Sequence, residues 1–411
     1  MRLLIVGHGC NPYTSSEPGL TWNWSWYMAA EHIVHLIAHP QSRGDVDAFL
    51  SKTPRPNLHI HWVDVDSPID QWDPAAGEKG IQFHYMLWLR RASKLARELH
   101  RRHGFDIVHH VGWATVSVPS PFWKLGCPLV WGPLGGGQFS PRPLMGVYKT
   151  RQWKEAVRTM RVKFLPLYPA FRRSVQKASR VLATNRETRA LLRAGGAAHV
   201  DLMFDNALRS EFLPAQLPVR ERREELRILW VGKLIRWKGL DLALRALAVL
   251  GPASRTSMSV VGAGPVRNEF EETARSLGLG DRVDFKGRVD WSGMPGEFTA
   301  ADVLLFTSLR DSSGSVVLEA MAYGLPVITL DHGGIGTFLP ADAGLKVEVS
   351  DMNATIGRIA AAIQYLRDHA EERHRMGCAA STYAQENTWE KRVAAMQHVY
   401  DEVRSVAPVR H

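Results

Sequence analysis

The residues "LRDSSGSVVLEAMAYGLPVITLDHGG", 309–334, show most clearly how this 411-residue chain is organised. A small polar loop opened by Asp311 leads into an apolar run typical of a helix, and Glu319 follows eight positions later inside that run. The next segment, "LPVITLD", is a short apolar run bounded by turn residues, and it predicts a buried strand. A helix followed by such a strand indicates a parallel sheet covered by helices on both faces.

The same alternation of apolar strands and helices extends in both directions along the chain. The second half adds the strand patterns "RILWVG", "SMSVVG", "RVDFKG" and "DVLLFTS", and the first half adds "RLLIV", "HIVHLIAH", "LHIHWVDV", "FDIVHHV", "CPLVWG" and "SRVLAT". The sequence therefore predicts an α/β fold with two Rossmann-like, doubly wound parallel-sheet domains. We expect domains at 1–213 and 227–387, a charged linker at 214–226, and a last helix at about 388–411 that packs back on the first domain.

Composition narrows the class of protein. A net charge of +10 and a pI near 9.6 favour anionic partners such as nucleotides, phosphorylated substrates, nucleic acid or acidic lipid. The isolated Cys10, Cys127 and Cys378 predict neither a disulfide framework nor a cysteine zinc site. Because the first apolar run is too short for a signal peptide and no run reaches the ~18 residues of a membrane span, we expect a cytoplasmic protein.

Four loops of the second half follow predicted strands and should meet at one sheet edge. They are "GKLIRWKG", "GAGP", "GRV" and "RDSSGS", and they bring Lys233, Lys238, several glycines and a helix start near Ser315. A helix start offers unpaired N–H groups, and glycines let a ligand approach the backbone. This combination predicts a nucleotide that carries phosphate.

The two acids of the opening stretch fit this ligand. Glu319 lies about one turn inside the helix, where its carboxylate can accept hydrogen bonds from a ribose diol. Asp311 lies beyond the phosphates, where a hydroxyl-rich group attached to the nucleotide would need an acceptor. The alternative is that Glu319 is a solvent-facing helix residue and Asp311 a turn former, and spacing alone leaves both interpretations open.

Other nucleotide and hydrolase motifs fit less well. "VVGAGPVR" begins like a dinucleotide fingerprint, but Arg267 stands where the third glycine belongs. The chain has no G-x-x-x-x-G-K-[ST], H-E-x-x-H or G-x-S-x-G sequence, which argues against P-loop enzymes, metalloproteases and α/β-hydrolases.

The C-terminal half resembles the nucleotide-sugar domain of the family 4 retaining glycosyltransferases, which have the GT-B fold with two domains facing a central cleft. The resemblance rests on "VGKLIRWKG", "VVGAGPVR", "RVDFKGRV" and "DSSGSVVLEAMAYGLPVITLDHGG", the last matching the family's E-x7-E motif with Asp311 in first position. In the N-terminal half, "SSEPGLTWNWSW", "FDIVHHVGW" and "WGPLGGG" resemble a bacterial exopolysaccharide branch of that family.

The resemblance implies roles for individual residues. Lys233 and Lys238 are expected to grip the donor diphosphate, Glu319 the ribose, and Asp311 the donor sugar. The implied catalytic residues are His109, Asp311, Lys233 and Lys238. The implied donor-binding residues are Gly19, Lys233, Lys238, Gly264, Arg288, Val289, Asp311, Gly314, Ser315, Val316 and Glu319, and the acceptor or cleft candidates are His110, Gly135 and Gly136.

Three positions depart from the family pattern. Lys233 stands where arginine is usual, so an ammonium point charge replaces a planar guanidinium that could bind phosphate through two hydrogen bonds. Asp311 is one carbon shorter than the usual glutamate. Thr21 occupies a position that is often glycine in this branch, which bears on the path of the Gly19 loop.

His109 and His110 end the predicted strand "FDIVHH" and should point to opposite faces of the sheet. A structural role is the default for any one of the 17 histidines. The family's strand-end histidine contacts the donor sugar, and His109 fits that position better than His110.

The implied reaction transfers a hexose with retained anomeric configuration from a nucleotide-diphosphate sugar, GDP-mannose or a UDP-hexose, to a glycan acceptor. Lysines and helix N–H groups would stabilise the leaving diphosphate, and neither a metal nor a cofactor is expected. The alternatives are a nucleotide-sugar isomerase or epimerase of similar architecture and a catalytically silent nucleotide-sugar-binding protein. The sequence has no RRM, KH or helix-turn-helix pattern, which argues against nucleic-acid binding.

Two basic segments of the first half suggest where an acceptor is held. Residues 88–102 place Arg90, Lys94, Arg97 and Arg101 on one helical stripe, opposite an apolar stripe that we expect to pack on the core. In residues 145–165 an apolar stripe lies among many basic residues, which fits either a core face or an anionic membrane surface. We expect a polyprenyl-diphosphate-linked acceptor and contact with anionic inner-leaflet lipid.

Overall fold

The computed structural model describes residues 1–14, 17–111, 113, 115–220 and 223–406. Ser15, Ser16 and Gly112 of the quoted motifs, residues 221–222 of the predicted linker, and the tail 407–411 lie outside this set. The chain divides into two compact units. Unit 1 comprises Met1–Gly137, Val162–Asn206 and Trp389–His411, and unit 2 comprises Gln138–Arg161 and Ala207–Thr388.

Each unit is built on one parallel sheet. Unit 1 has seven strands in the order β3-β2-β1-β4-β5-β6-β7, and unit 2 has six in the order β10-β9-β8-β11-β12-β13. The prediction of two doubly wound domains is confirmed. The strands are β1 Arg2–Val6, β2 Ile33–Ala38, β3 Leu58–Trp62, β4 Ile107–His110, β5 Leu129–Leu134, β6 Arg180–Ala183, β7 Val200–Leu202, β8 Leu226–Val231, β9 Thr256–Val261, β10 Val283–Gly287, β11 Val303–Phe306, β12 Val327–Leu330 and β13 Gly344–Val347.

Helices and short 3-10 turns connect these strands. The helices are α1 Glu17–Met28, α2 Arg43–Lys52, α3 Ile81–His103, α4 Gln152–Phe164, α5 Pro169–Lys177, α6 Arg186–Ala194, α7 Leu240–Val249, α8 Arg267–Ser276, α9 Met294–Ala300, α10 Ser315–Ala322, α11 Gly333–Phe338, α12 Met352–Asp368, α13 Ala370–Gln385 and α14 Trp389–Val406. Within the ranges that the structure describes, none of these helices is both long and apolar enough to cross a bilayer.

The central strands show why these sequences form sheets. In β1, Leu3, Leu4, Ile5 and Val6 are all fully buried, as expected for a strand covered on both faces. Strand order reverses between β1 and β4 in unit 1 and between β8 and β11 in unit 2. Ligands of such sheets bind where the order reverses, beyond the carboxyl ends of the strands.

The domain boundaries differ from the prediction at two places. Residues 138–161 belong to unit 2 and not to the first domain, because Leu144, Val147 and Tyr148 are buried in the hydrophobic core of unit 2. Residues 207–213 also group with unit 2. The last helix, α14, groups with unit 1.

Candidate functional site

The loops after β8 and β11 lie side by side where the strand order of unit 2 reverses. The Leu309 N–H donates to the Trp237 carbonyl at 2.8 Å, and the Thr307 hydroxyl donates to the Gly239 carbonyl at 2.9 Å. Gly239 has a φ of 74°, and a Cβ there would lie 2.1 Å from the Thr307 carbonyl oxygen. Only glycine therefore fits, and the two loops are held in one arrangement.

This arrangement brings two predicted site residues into direct contact. The Lys238 Nζ lies 2.5 Å from Asp311 Oδ2, with side chains 23% and 20% exposed. The pair joins the β8 loop to the β11 loop at the reversal point. One ligand can therefore reach both the cation and the carboxylate.

The helix after this loop begins at the same edge. Gly314 precedes α10, and no side chain caps the helix start. A Cβ on Gly314 would lie 3.0 Å from the Phe306 ring, so the residue lets the chain pass close to β11. Ser315 and Val316 are half-buried in the first turn. Glu319, one turn further on, is 6% exposed, and the interpretation of it as a solvent-facing residue is wrong.

Two further glycine loops pack against this edge. A Cβ on Gly264 would lie 2.3 Å from the Leu234 carbonyl oxygen, and one on Gly334 would lie 1.8 Å from the Ser312 carbonyl oxygen. The Gly334 N–H also donates to the Asp311 carbonyl at 3.2 Å. Gly264 therefore serves contact between the β8 and β9 loops, and Gly334 holds the far side of the Asp311 loop.

The remaining predicted residues of unit 2 lie on the same loops but are more exposed. Lys233 is exposed on the β8 loop. Arg288 is exposed and Val289 half-buried after β10, which is the edge strand two positions from β8. The structure shows these three on the predicted edge but not in the Lys238–Asp311 contact.

A buried ion network that the sequence did not reveal supports the Asp311 loop. Glu155 is 3% exposed, and its carboxylate accepts hydrogen bonds from Arg310 at 2.7 Å and from Arg158 at 2.9 Å. The Arg310 guanidinium also lies 4.5 Å from the centre of the Trp237 ring. The Gln138 side-chain amide donates to the Arg310 carbonyl at 2.9 Å. The network fixes the residue that precedes Asp311.

A pocket of about 310 Å³ lies beside this network in unit 2. Basic side chains dominate its polar lining, and the Trp237 ring and Pro265 form part of its apolar wall. The signal that could have revealed the network is Glu155 itself, since it is a lone acid in a strongly basic segment. The basic lining residues are Arg151, Lys154, Arg158, Arg236 and Arg310.

The two strand-end histidines of unit 1 are interior residues. His109 is fully buried, its Nε2–H donates to the Gly132 carbonyl at 2.7 Å, and its Nδ1 accepts from the Tyr400 hydroxyl at 2.6 Å. Because both ring nitrogens are occupied within unit 1, we correct the prediction that His109 contacts the donor sugar. His110 is also buried and pairs with the Tyr85 hydroxyl at 3.1 Å, so it presents no face to an acceptor.

Burial also determines the protonation of both rings. It lowers the pKa of His109 to about 4, despite the opposing effect of the bond to Gly132. It lowers the pKa of His110 to about 3, helped by the neighbouring His109. Both imidazoles are therefore neutral at physiological pH.

The predicted glycines of unit 1 lie in tight loop contacts. A Cβ on Gly19, in the first turn of α1, would lie 1.9 Å from the Thr14 carbonyl oxygen. Thr21 is buried, and its hydroxyl fills the space above Gly7, where a Cβ would lie 2.2 Å from it. Threonine at position 21 is thus compatible with the close contact between Gly19 and Thr14.

Gly135 and Gly136 follow β5. Gly135 forms an isolated parallel bridge with Thr115. Gly136 has a φ of 86°, and a Cβ there would lie 3.0 Å from the Thr115 hydroxyl. The structure therefore ties both predicted acceptor residues to a neighbouring loop of unit 1.

Comparison with known proteins identifies the region that contains the Lys238–Asp311 pair. The family model described as Glycosyl transferases group 1 matches residues 216–382. This region resembles the group 1 glycosyl transferases. The match includes every predicted donor-binding residue of unit 2, from Lys233 to Glu319, and excludes Gly19, His109 and the segment 138–161.

Curated relatives and solved structures agree with this match. The chain is 30% identical over 211 residues to a 2-deoxystreptamine glucosyltransferase of Streptomyces kanamyceticus, covering 47% of this chain and 54% of that protein. It is 29% identical over 228 residues to a D-inositol 3-phosphate glycosyltransferase of Corynebacterium kroppenstedtii, covering 51% and 49%. The chain thus spans about half the length of these curated relatives.

Two solved structures match over nearly the whole chain. A sucrose-phosphate synthase from Thermosynechococcus elongatus gives a TM-score of 0.68 at 18% identity, covering 99% of this chain and 100% of that one. Anabaena Alr3699/HepE in complex with UDP gives 0.63 at 15% identity, covering 98% and 100%. The chain has the GT-B fold. At this identity the likeness shows the fold alone.

Proposed function

We propose that this protein is a retaining glycosyltransferase that moves a hexose from a nucleotide-diphosphate sugar, GDP-mannose or a UDP-hexose, to a glycan acceptor. The proposal rests on the Lys238–Asp311 pair, which lies at the reversal point of unit 2, directly before the α10 helix that carries Glu319. The match of residues 216–382 to group 1 glycosyl transferases supports it. The two relatives described above, named as a glucosyltransferase and a glycosyltransferase, are consistent with it.

The site residues would divide the donor between them. Lys238, Lys233 and the N–H groups of the first α10 turn would bind the diphosphate, where the helix start favours negative charge. The buried Glu319 carboxylate would accept hydrogen bonds from the ribose diol. Asp311 would bind a hydroxyl of the sugar that is transferred.

The same residues would act during transfer. Negative charge grows on the diphosphate oxygens as the bond to the sugar breaks, and a fixed ammonium group stabilises that charge. Diphosphate binding would draw Lys238 from Asp311, leaving the carboxylate to accept from the sugar. We propose that these groups need no metal ion and that the leaving phosphate takes the proton of the acceptor hydroxyl.

The exposed face of α4 supports a lipid-linked acceptor. Trp153, Val157, Met160 and Phe164 lie at helical spacing and are 63%, 43%, 52% and 55% exposed. They do not pack on a core, in contrast to the apolar stripe of α3, where Trp88, Ala92 and Leu99 are buried as predicted. Exposed Lys154, Arg161 and Lys163 flank the α4 face.

An aromatic and basic helix face of this kind suits an anionic membrane surface. We therefore propose an acceptor carried on a polyprenyl diphosphate at the inner face of the cytoplasmic membrane, as in exopolysaccharide or cell-surface polysaccharide synthesis.

Thermal-shift titration with UDP, GDP, ADP and their sugars tests the donor site. One nucleotide class should raise the melting temperature of the wild type, and the rise should disappear in Glu319→Ala and weaken in Lys238→Ala. Arg275→Ala serves as control because Arg275 pairs with a neighbour on α8 in a largely exposed contact. Retention of the full rise in both site variants would refute the assignment.

A second assay separates transfer from isomerisation. Donor and a polyprenyl-diphosphate glycan are incubated together and apart. A transferase should release free nucleoside diphosphate and lengthen the lipid-linked glycan only when both are present. Conversion of the donor sugar without acceptor would instead support a nucleotide-sugar isomerase, and binding without either product would support a silent sugar-nucleotide receptor.

A further inference from the structure

Three histidines meet at the carboxyl edge of the unit 1 sheet. His8 follows β1, His39 follows β2, and His84 lies in the first turn of α3. All three are buried, with exposures of 4%, 7% and 2%. The backbone N–H of His39 donates to the backbone carbonyl of His8 at 2.8 Å. This bond fixes the two neighbouring loops beside each other.

The three rings lie close enough together to converge on one ion once His39 turns. One ring nitrogen from each residue lies within 4.8 Å of those of the other two, and the Nε2 atoms of His8 and His84 are 3.0 Å apart. The ring centres are separated by 4.8, 5.1 and 5.1 Å. Three imidazoles bound to one tetrahedral zinc, with Zn–N about 2.0–2.1 Å, place their centres roughly 5 Å apart.

A buried carboxylate orients one of these rings. Asp70 Oδ2 lies 2.5 Å from His84 Nδ1, and the Asp70 side chain is 7% exposed. A carboxylate accepts only, so Nδ1 of His84 carries the proton and its Nε2 lone pair points toward His8. Histidines that bind metals usually donate their second N–H to such a partner.

His39 is held less firmly. Its Nε2 lies 3.2 Å from Asp64, whose side chain is 68% exposed, and its Nδ1 accepts a 3.3 Å bond from the Gln41 N–H. These contacts are weak enough for the ring to turn toward an ion. His8 can present its Nε2 lone pair by moving its proton to Nδ1, which leaves the ring neutral.

The surroundings keep the cluster uncharged. Burial, followed by His39 and His84, lowers the pKa of His8 to about 2. Burial and then His84 also lower the pKa of His39, although Asp64 opposes this effect. Neutral imidazoles retain the lone pairs that a metal ion needs.

We propose that His8, His39 and His84 bind one divalent transition-metal ion of the zinc, cobalt or nickel class, with Asp70 as the carboxylate that orients His84. Imidazole suits this class of ion. Three protein ligands leave a fourth position for water or a substrate oxygen. The rings of Trp72 and Trp88, whose centres lie 4.2 Å from that of His84 and 5.0 Å from that of His8, form a wall beside the ion.

Titration of the chelator-treated full chain with Co²⁺ tests this site. The wild type should bind one Co²⁺ per chain with the intense visible absorption of a four-coordinate ion, and Zn²⁺ should displace it. His8→Gln and His84→Gln should lower the affinity by more than about 100-fold, and Asp70→Asn by about 10- to 100-fold. The exposed His199 provides the control variant His199→Gln, which should bind like the wild type.

Far-UV circular dichroism and the melting temperature in EDTA establish that each variant is folded. Zn²⁺ should raise the melting temperature of the wild type and of His199→Gln but not of His84→Gln. If His84→Gln does not fold, the metal affinity of Asp70→Asn decides the test, because this variant keeps all three histidine rings. Absence of Co²⁺ and Zn²⁺ binding by the wild type, or unchanged affinity in Asp70→Asn and either histidine variant, overturns the proposal.

Discussion

The six strands of unit 2 follow the order of the first six strands of unit 1, but the carboxyl edges of the two sheets carry opposite chemistry. At the unit 1 edge, buried rings such as His8, His84 and Trp88 contact one another. At the unit 2 edge, glycines bring loops together and leave Lys238 and Asp311 partly exposed. Topology therefore determines where a site can form. The residues that follow each strand determine whether that edge carries neutral imidazoles or charged side chains.

The distribution of histidine makes this contrast quantitative. Among the histidines that the structure describes, all but His332, His369 and His374 belong to unit 1. Buried neutral imidazoles make the stability of unit 1 sensitive to acid, whereas the unit 2 edge depends on ion pairs and backbone contacts.

The charged edge of unit 2 should carry the chemistry. Lys238→Ala is expected to lower kcat for the proposed hexose transfer by about 10²- to 10³-fold, because it removes a cation from the growing charge of the diphosphate. Steady-state kinetics measure the effect. The matched control is Lys286→Ala, since Lys286 forms a similar 2.6 Å pair with Glu297 in the same unit. An equal loss in both variants would contradict the assignment.

Unit 1 should lose stability in acid before unit 2. The folded pKa values of His109 and His110 are lowered to about 4 and about 3, whereas both titrate near 6.5 when unfolded. Below pH 6.5 the unfolded state therefore binds more protons, and the free energy of unfolding falls by at most about 1.4 kcal/mol per pH unit for each ring.

Hydrogen exchange measured by peptide at pH 7 and pH 5 checks this difference. Protection should decrease in β1 and β4 of unit 1 and change little in β8 and β11 of unit 2. Equal loss of protection in both sheets, or greater loss in unit 2, would show that the buried histidines do not govern acid stability.

The contact between α14 and β4 should be structural only. Tyr400→Phe leaves the buried Nδ1 of His109 without a donor and should cost about 1–3 kcal/mol of unfolding free energy. Urea denaturation measures this cost. Tyr365→Phe is the control, because Tyr365 is 39% exposed on α12. Nucleotide affinity should be unchanged in both variants. A weaker affinity in Tyr400→Phe alone would support a contact between His109 and the donor.

The exposed α4 face should matter for binding and hardly at all for stability. Trp153→Ser with Met160→Ser should change the unfolding free energy by less than about 0.5 kcal/mol, as is usual for exposed positions. The double variant should lose sedimentation with anionic liposomes at low salt. Neutral liposomes provide the control, and undiminished binding to anionic liposomes would place the membrane contact elsewhere.

The sequence predicted most of the fold because buried parallel strands are long apolar runs. It missed β7 and β13, which have only three and four residues and include Asp201 and Lys346. Edge strands need not be apolar on both faces, so their pattern is weak. The segment 138–161 was assigned to the wrong unit because chain order does not reveal which core buries Leu144.

The candidate site was predictable to a similar degree. Strand ends and glycine loops pointed to Lys238 and Asp311, which the structure places in contact. The role of His109 could not be derived, because its partner Tyr400 is 291 residues away in the chain. The His8–His39–His84 cluster was missed because His84 comes from a helix, although His8 and His39 both follow neighbouring strands.

The position of α14 has a consequence for synthesis of the protein. Trp389, Met396 and Tyr400 are completely buried in the unit that starts the chain. A ribosome therefore produces all of unit 2 before it delivers the helix that closes unit 1. During translation the unit 1 sheet therefore lacks α14 until the end of synthesis, whereas unit 2 can already fold. We expect chaperones that bind nascent chains to act on the amino-terminal half.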